Sequence, residues 1–292
     1  MQAELFQSGA AAHTFFVQGK LEDYALVERA INDYAVDTVF HLGAQTLVEP
    51  ARAAPLATFE ANIRGTYHIL EACRRFSSRI EAIVVASSDK AYGTRSTLPY
   101  TEDMAVAGRY PYDVSKSCAD LLATSYFHTY DLPIIIVRSG NIYGGGDLNW
   151  SRLIPGTIKS YLHSVAPLIR SDGTPTRDYL FVEDVIAAYL LLAAHSMCPT
   201  VRGQAFNLGT NCPLSVVEVV ETLQTLMGAF SLPPTLLSKA KGEIQDQWLT
   251  SEKIKSAVGW SPRFSLIEGL KKTLPWYEAY FKKAATLQEV SL

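Results

Sequence analysis

Three short runs of apolar, largely β-branched residues constrain this chain more than any other feature: positions 38–42, 82–87 and 133–138. None alternates polar with apolar, so each reads as a strand buried on both faces, the pattern of a parallel sheet covered by helices on either side. The stretches between them, 22–34, 56–76 and 111–130, carry helical spacing; Leu26, Ala30 and Ile31 share one face of the first. A further short strand is expected at 14–18. This βαβ rhythm predicts an α/β fold built on a parallel sheet.

The second half is less regular. A loop at Gly144-Gly145-Gly146 is followed by an expected helix at 152–163 and a strand at 168–170. Short strands are expected at 178–182 and 206–208, with a helix from Glu183 between them. Helices at 214–227, 251–258 and 266–281 complete the chain, and Pro233-Pro234 and Ser261-Pro262 mark turns. This half reads as a smaller α/β cap over the carboxyl edge of the sheet, interleaved with its last strands.

Composition narrows the function classes. A net charge of −3 in 292 residues gives no reason to expect a nucleic-acid partner. The longest apolar stretch, around 187–194, is too short for a bilayer, so no membrane role is expected. The start lacks a basic-then-apolar leader. Cys73, Cys118, Cys198 and Cys212 show no CxxC spacing, and the six histidines show no HExxH pattern. Reduced thiols, a cytoplasmic location and no metal site are the expectation.

The chemistry concentrates at two places. Ser88, Asp89 and Lys90 follow the second apolar run, at the strand end where open α/β sheets bind ligands. Tyr112 and Lys116 lie four residues apart on the third helix, one turn apart on the same face. A nearby ammonium favours the phenolate, so Lys116 is expected to lower the Tyr112 pKa. Such a tyrosine takes a proton from a sugar or alcohol hydroxyl while a nicotinamide removes the hydride. Asp89 and Lys90, side by side, can exchange a proton, which leaves their assignment as acid and base open. Alone, they would read as an exposed ion pair in a turn.

Several motifs in order resemble the extended short-chain dehydrogenase/reductase family of NAD-dependent nucleotide-sugar epimerases and dehydratases. They are Val39-Phe40-His41-Leu42-Gly43-Ala44-Gln45, Asn62-Ile63-Arg64-Gly65-Thr66, Tyr112-x-x-x-Lys116 and Arg177-Asp178-Tyr179. Ser88-Asp89-Lys90, Tyr143 to Asn149 and Ile169 to Gly173 are similar to the CDP-glucose 4,6-dehydratase group. The resemblance implies a Rossmann-like sheet, with 1–146 plus about 178–209 forming a dinucleotide-binding domain. It places 147–177 plus 210–292 in a nucleotide-sugar-binding cap.

Such folds begin with a strand, a glycine-rich turn and a helix that holds pyrophosphate. Here the early glycines are Gly9 and Gly19, with no strand before Gly9. The expectation is a sheet apparently missing its first two strands, as in a truncated gene product, and therefore an open edge at 38–42.

The resemblance also implies roles. Tyr112 would take the sugar O4 proton, with Ser88 polarising the resulting ketone. Asp89 would protonate the departing C6 hydroxyl, and Lys90 would remove the C5 proton. Ala44 and Gln45, with Tyr112 and Lys116, would face NAD, the last through its ribose hydroxyls. Asn141, Asn149, Arg152, Arg177 and Tyr179 would bind the nucleotide sugar, CDP-glucose first, since arginines pair bidentately with diphosphate. Arg170 stays open between that role and simple solvation. His41 reads as a packed histidine, Asn62 as a brace, and Trp248 and Phe264 as core. A homodimer through the long helices is implied, with Leu121, Leu122, Ser125 and Tyr126 in reach. Two other readings stand: another family enzyme such as a 4-epimerase or GDP-mannose dehydratase, and a non-catalytic fragment unable to hold NAD. Preference for NAD over NADP stays open.

Overall fold

The computed structural model describes residues 9–238 and 244–289. Helix α1 (Tyr24–Asp33) starts where the Asp23 carboxylate accepts the Leu26 amide at 3.1 Å, satisfying one of the orphan donors of the first turn. Strand β1 (Thr38–His41) follows. Then come α2 (Val48–Ala53), α3 (Pro55–Phe59), a π-helical turn (Glu60–Arg64) and α4 (Gly65–Arg75). The single helix expected at 56–76 is therefore broken by that π turn.

Strand β2 (Ala82–Ala86) and a 3-10 turn (Asp89–Tyr92) lead to α5 (Pro111–Tyr130). Proline opens α5 at a position with no intrahelical N–H to give, and Asp131 closes it in the left-handed region at φ 52°. Strands β3 (Ile134–Ser139) and β4 (Asn141–Tyr143) are followed by α6 (Leu153–Leu162). Next are β5 (Leu168–Ile169), β6 (Thr176–Arg177), β7 (Tyr179–Phe181), α7 (Val182–Ala194) and β8 (Ala205–Leu208). The last part holds β9 (Leu214–Ser215), α8 (Val216–Leu226), β10 (Thr235–Leu236), β11 (Asp246–Gln247), α9 (Glu252–Val258) and α10 (Leu266–Glu289).

The main sheet has the order β1-β2-β3-β8 and is parallel throughout. Its register sets Val39 against Ile83, Val85 against Ile136, and Val137 against Phe206. Ile83, Val84 and Val85 are fully buried because helices cover both faces. On one face Val27, Ile31, Leu70, Cys73 and Ala123 pack from α1, α4 and α5. On the other, Val185, Ala188, Leu192 and Ile254 pack from α7 and α9. Burying each such side chain contributes about 1.5–3 kcal/mol, which makes this sandwich the mechanical base of the molecule. The parallel α/β expectation holds.

A separate aromatic-rich core joins Tyr143, Ile158, Tyr161, Phe181, Val219, Leu223, Leu270 and Tyr277, from α6, α8, α10 and the strands between. Beside it β11, β6 and β9 form a three-stranded sheet, while β4 pairs with β7 and β5 with β10. The expected strand at 14–18 does not form. Those residues are irregular, with Phe15 79% exposed, and no described strand lies alongside to complete a ladder. Among the described strands β1 pairs with β2 alone.

Candidate active site

Strand β2 delivers its carboxyl end to the site. The Ser87 amide donates to the Val137 carbonyl at 2.8 Å, prolonging the ladder by one residue, and the chain then turns. Ser88 caps the 3-10 turn, its hydroxyl oxygen accepting the Lys90 amide at 3.2 Å. The same hydroxyl donates to Asp89 Oδ1 at 3.0 Å. Gly93 ends the turn at φ +65°, where a Cβ would lie 2.3 Å from the Ala107 carbonyl oxygen, so only glycine fits. This tight, capped turn fixes three candidate side chains within three residues.

Helix α5 lies across that strand end. Tyr112 is buried, with the Ser88 side chain near enough to its phenol to pull the pKa down. Ser88 thus lies between the phenol and the Asp89 carboxylate to which its hydroxyl donates, and the two groups read separately from the sequence face one place. Lys90 Nζ lies 3.3 and 3.4 Å from the two Asp89 oxygens. Burial lowers the Lys90 pKa, with the Asp89 charge opposing and Arg177 adding to the fall.

The expected depression of the Tyr112 pKa is not what the structure shows. Burial pushes the phenol up to about 12; the Ser88 bond and Arg152 pull the other way, while Asp89 adds to the rise. The Lys116 ammonium donates instead to the Ala86 carbonyl at 2.8 Å. Burial brings Lys116 down to about 8, with the Asp120 charge resisting. Spacing on the helix gave proximity, but desolvation outweighs it.

The residues present fit the nicotinamide-ribose end of a dinucleotide. Among the described residues, Lys116 has one hydrogen-bond acceptor, so two of its three N–H groups remain for ribose hydroxyls. The loop after β1 is held nearby. Asn62 accepts the Gln45 amide at 2.7 Å, and donates to the Gln45 carbonyl at 2.9 Å and to Ser115 on α5 at 2.8 Å. The Gln45 side chain accepts the Leu47 amide at 2.7 Å, and Ala44 beside it is half-buried. His41 is packed and bonded to Thr66 at 2.9 Å. Burial, then the Lys116 charge, bring it down to about 4.

Of the expected sugar-nucleotide residues, Arg152 is exposed, pairs with Asp147 at 2.9 Å, and donates to Thr46 beyond β1 at 3.0 Å. Its charge reaches Tyr112. Asn149 accepts from the Ser151 hydroxyl at 2.7 Å, and Asn141 is exposed on β4. Two are placed otherwise. Arg177 is buried and donates to the carbonyls of Thr176 and Gln245 at 2.7 and 2.9 Å and of Ile244 at 2.5 Å, bracing the cap strand. Tyr179 is buried in the separate aromatic-rich core.

Sequence reasoning missed two groups. Asp120, one turn past Lys116, chelates the buried Arg138 at 2.7 and 3.1 Å and accepts the Ser87 hydroxyl at 2.7 Å. Its position eight residues after Tyr112 was the available signal. Gln247, from β11, accepts from Lys90 Nζ and donates to the Asp89 carbonyl at 3.0 Å. No local pattern marks it. Among the described residues no cluster of three or more His, Cys, Asp or Glu could hold a metal, and no helix is long and apolar enough to cross a membrane.

A family model described as GDP-mannose 4,6 dehydratase matches residues 3–273. The CDP-glucose 4,6-dehydratase of Salmonella typhimurium is 28% identical over 282 residues, covering 90% of this chain and 77% of that protein. The dTDP-glucose 4,6-dehydratase of Bacillus anthracis, solved in complex with NAD, is 28% identical with a TM-score of 0.79, over 91% of this chain and 80% of that one. The UDP-glucose 4-epimerase of Thermotoga maritima, solved with UDP-glucose, is 25% identical with a TM-score of 0.86, over 92% of this chain and 86% of that one.

Proposed function

The chain belongs to the GDP-mannose 4,6 dehydratase family, and on that premise we propose that it is an NAD-dependent nucleotide-sugar 4,6-dehydratase. The observation that carries this reading is the position of Ser88, bonded to Asp89 of the Asp89–Lys90 pair and close enough to Tyr112 to act on its phenol. Oxidation at a sugar carbon needs only a hydroxyl-polarising group and a tyrosine. Eliminating water needs an acid and a base in addition, and Asp89 with Lys90 supplies both.

When bound, NAD would supply the chemistry of a hydride acceptor and donor. Tyr112 accepts the O4 proton, and Ser88 donates to the oxygen as it becomes a ketone. The ketone acidifies the C5 hydrogen. Lys90, its pKa lowered by burial, first passes a proton to Asp89 across their 3.3 Å contact; the free amine then takes the C5 proton, and Asp89 protonates the departing C6 hydroxyl. Lys116 holds the ribose hydroxyls, while the Asn62-braced Ala44–Gln45 loop closes that side. Arg152, with Asn141 and Asn149, lies toward the nucleotide sugar, and Arg177 and Tyr179 shape the cap wall around it.

CDP-glucose is the substrate we put first, on the strength of Ser88-Asp89-Lys90. Residues 1–146 with about 178–209 act as the cofactor domain, and 147–177 with 210–292 as the cap. The reading includes a homodimer through the outer faces of α4 and α5, where Tyr67 and Leu121 are exposed, and a cytoplasmic location that suits the four free thiols. The likeness to a 4-epimerase favours a second reading, oxidation and return of hydride at C4. Incubating the protein and NAD+ with CDP-, dTDP-, UDP- and GDP-hexoses separates them. A 4-keto-6-deoxy product supports the dehydratase, and a C4 epimer alone overturns it.

A further inference from the structure

We propose that Gln247 is a positioning residue for Lys90, holding the ammonium against Asp89 by a neutral amide that reaches in from the cap. Gln247 is fully buried and uses both ends of its amide: the oxygen accepts from Lys90 Nζ, and the nitrogen donates to the Asp89 carbonyl at 3.0 Å. It therefore grips the backbone and the side chain of the same turn.

The strand that carries it is fixed from three sides. Arg177 donates to the Gln245 carbonyl at 2.9 Å, the Leu249 amide donates to Asp178 at 2.8 Å, and the Tyr100 amide donates to the Trp248 carbonyl at 2.9 Å. In register, Gln247 lies opposite Arg177. The fixed strand keeps the amide within reach of Lys90, so the acid–base pair is tied to the cap.

The neutrality of the amide matters. Lys90 already feels the charges of Asp89 on its own turn, Asp113 from α5 and Arg177 from β6. A further carboxylate would hold its proton tightly, whereas an amide orients the nitrogen and leaves the proton transferable. The consequence for catalysis rests on the dehydratase reading, but the contact itself does not.

The test compares wild type, the isosteric Gln247→Glu and the length-matched Gln247→Met. Trace acylation of Lys90, followed against pH on its peptide by mass spectrometry, reads the amine without any turnover. Gln247→Glu should raise the pH of half-labelling by about one unit or more. With nucleotide hexose and NAD+, Gln247→Met should lower kcat for the 6-deoxy product about tenfold with KM little changed, and slow solvent-deuterium entry at C5 equally. Unchanged labelling and unchanged exchange in both variants would overturn the inference. If wild type forms no 4-keto-6-deoxy product but Gln247→Glu still shifts the labelling, the dehydratase reading fails and the positioning role stands.

Discussion

Burial holds the Tyr112 phenol at about 12 against the pull of Ser88 and Arg152, so at neutral pH it is the small phenolate fraction that accepts the O4 proton. Tyr112→Phe retains the packing and removes the proton acceptor, so kcat should fall by about 10²–10⁴-fold while thermal stability stays near wild type. His41 offers a stability test with a definite sign. Its folded pKa of about 4 lies below the ordinary 6.5, so between those values the unfolded chain takes a proton that the folded chain refuses. Its contribution is fully present above pH 6.5 and is lost as pH falls toward 4, by at most about 3 kcal/mol. Urea midpoints from pH 4 to 7 check this: His41→Gln should flatten the acid limb, and an unchanged limb would contradict the assignment. At this scale the sequence showed which residues carry chemistry but not what surrounds them. Four-residue spacing placed Lys116 beside Tyr112, yet neither the Ala86 carbonyl nor the depth of burial can be read from spacing.

Helix α5 carries more than the tyrosine–lysine pair. Its third inward turn presents Asp120 to Arg138 of β3 and Ser87 of β2, welding the helix to the strand end that bears Ser88. Arg138 also donates to the Tyr92 hydroxyl at 2.8 Å, which in turn donates to Asn207 of β8 at 2.7 Å. Breaking one partner leaves a buried charge, so Arg138→Met should cost about 3–5 kcal/mol, and Asp120→Asn with Arg138→Met less than the sum of the two singles. Denaturant titration of the three variants decides it; strict additivity would mean the pair is not coupled. The long elements were legible because their apolar periods are strong: α5 forms over the expected residues. The strand expected at 14–18 was not, because a strand depends on a neighbour that local sequence does not encode. The two-residue strands β6, β9 and β11 were missed for the same reason: each is defined by pairing, and β6 meets β11 some seventy residues later in the chain.

For the molecule as a whole, site and weak point lie at different ends. The site gathers the carboxyl ends of the strands and β11 of the cap. The opposite end of the sheet opens into a cleft lined by Phe40, Leu132, Leu190 and Met197, and Ile186 is exposed one turn before Leu190 on α7. An apolar patch beside β1, which among the described strands pairs with β2 alone, promotes association, so Ile186→Lys with Leu190→Lys should reduce light scattering at high concentration with turnover unchanged. Scattering that does not fall would place the association elsewhere. Fold class was legible from the sequence because three buried runs left one economical arrangement, whereas the cap's reach into the site, through Gln247, needed tertiary structure. The central claim is that one site oxidises C4 and eliminates across C5 and C6. Nucleotide hexose carrying deuterium at C4 tests it most directly: the label should appear in the C6 methyl of a 4-keto-6-deoxy product, and label returned to C4 would overturn it.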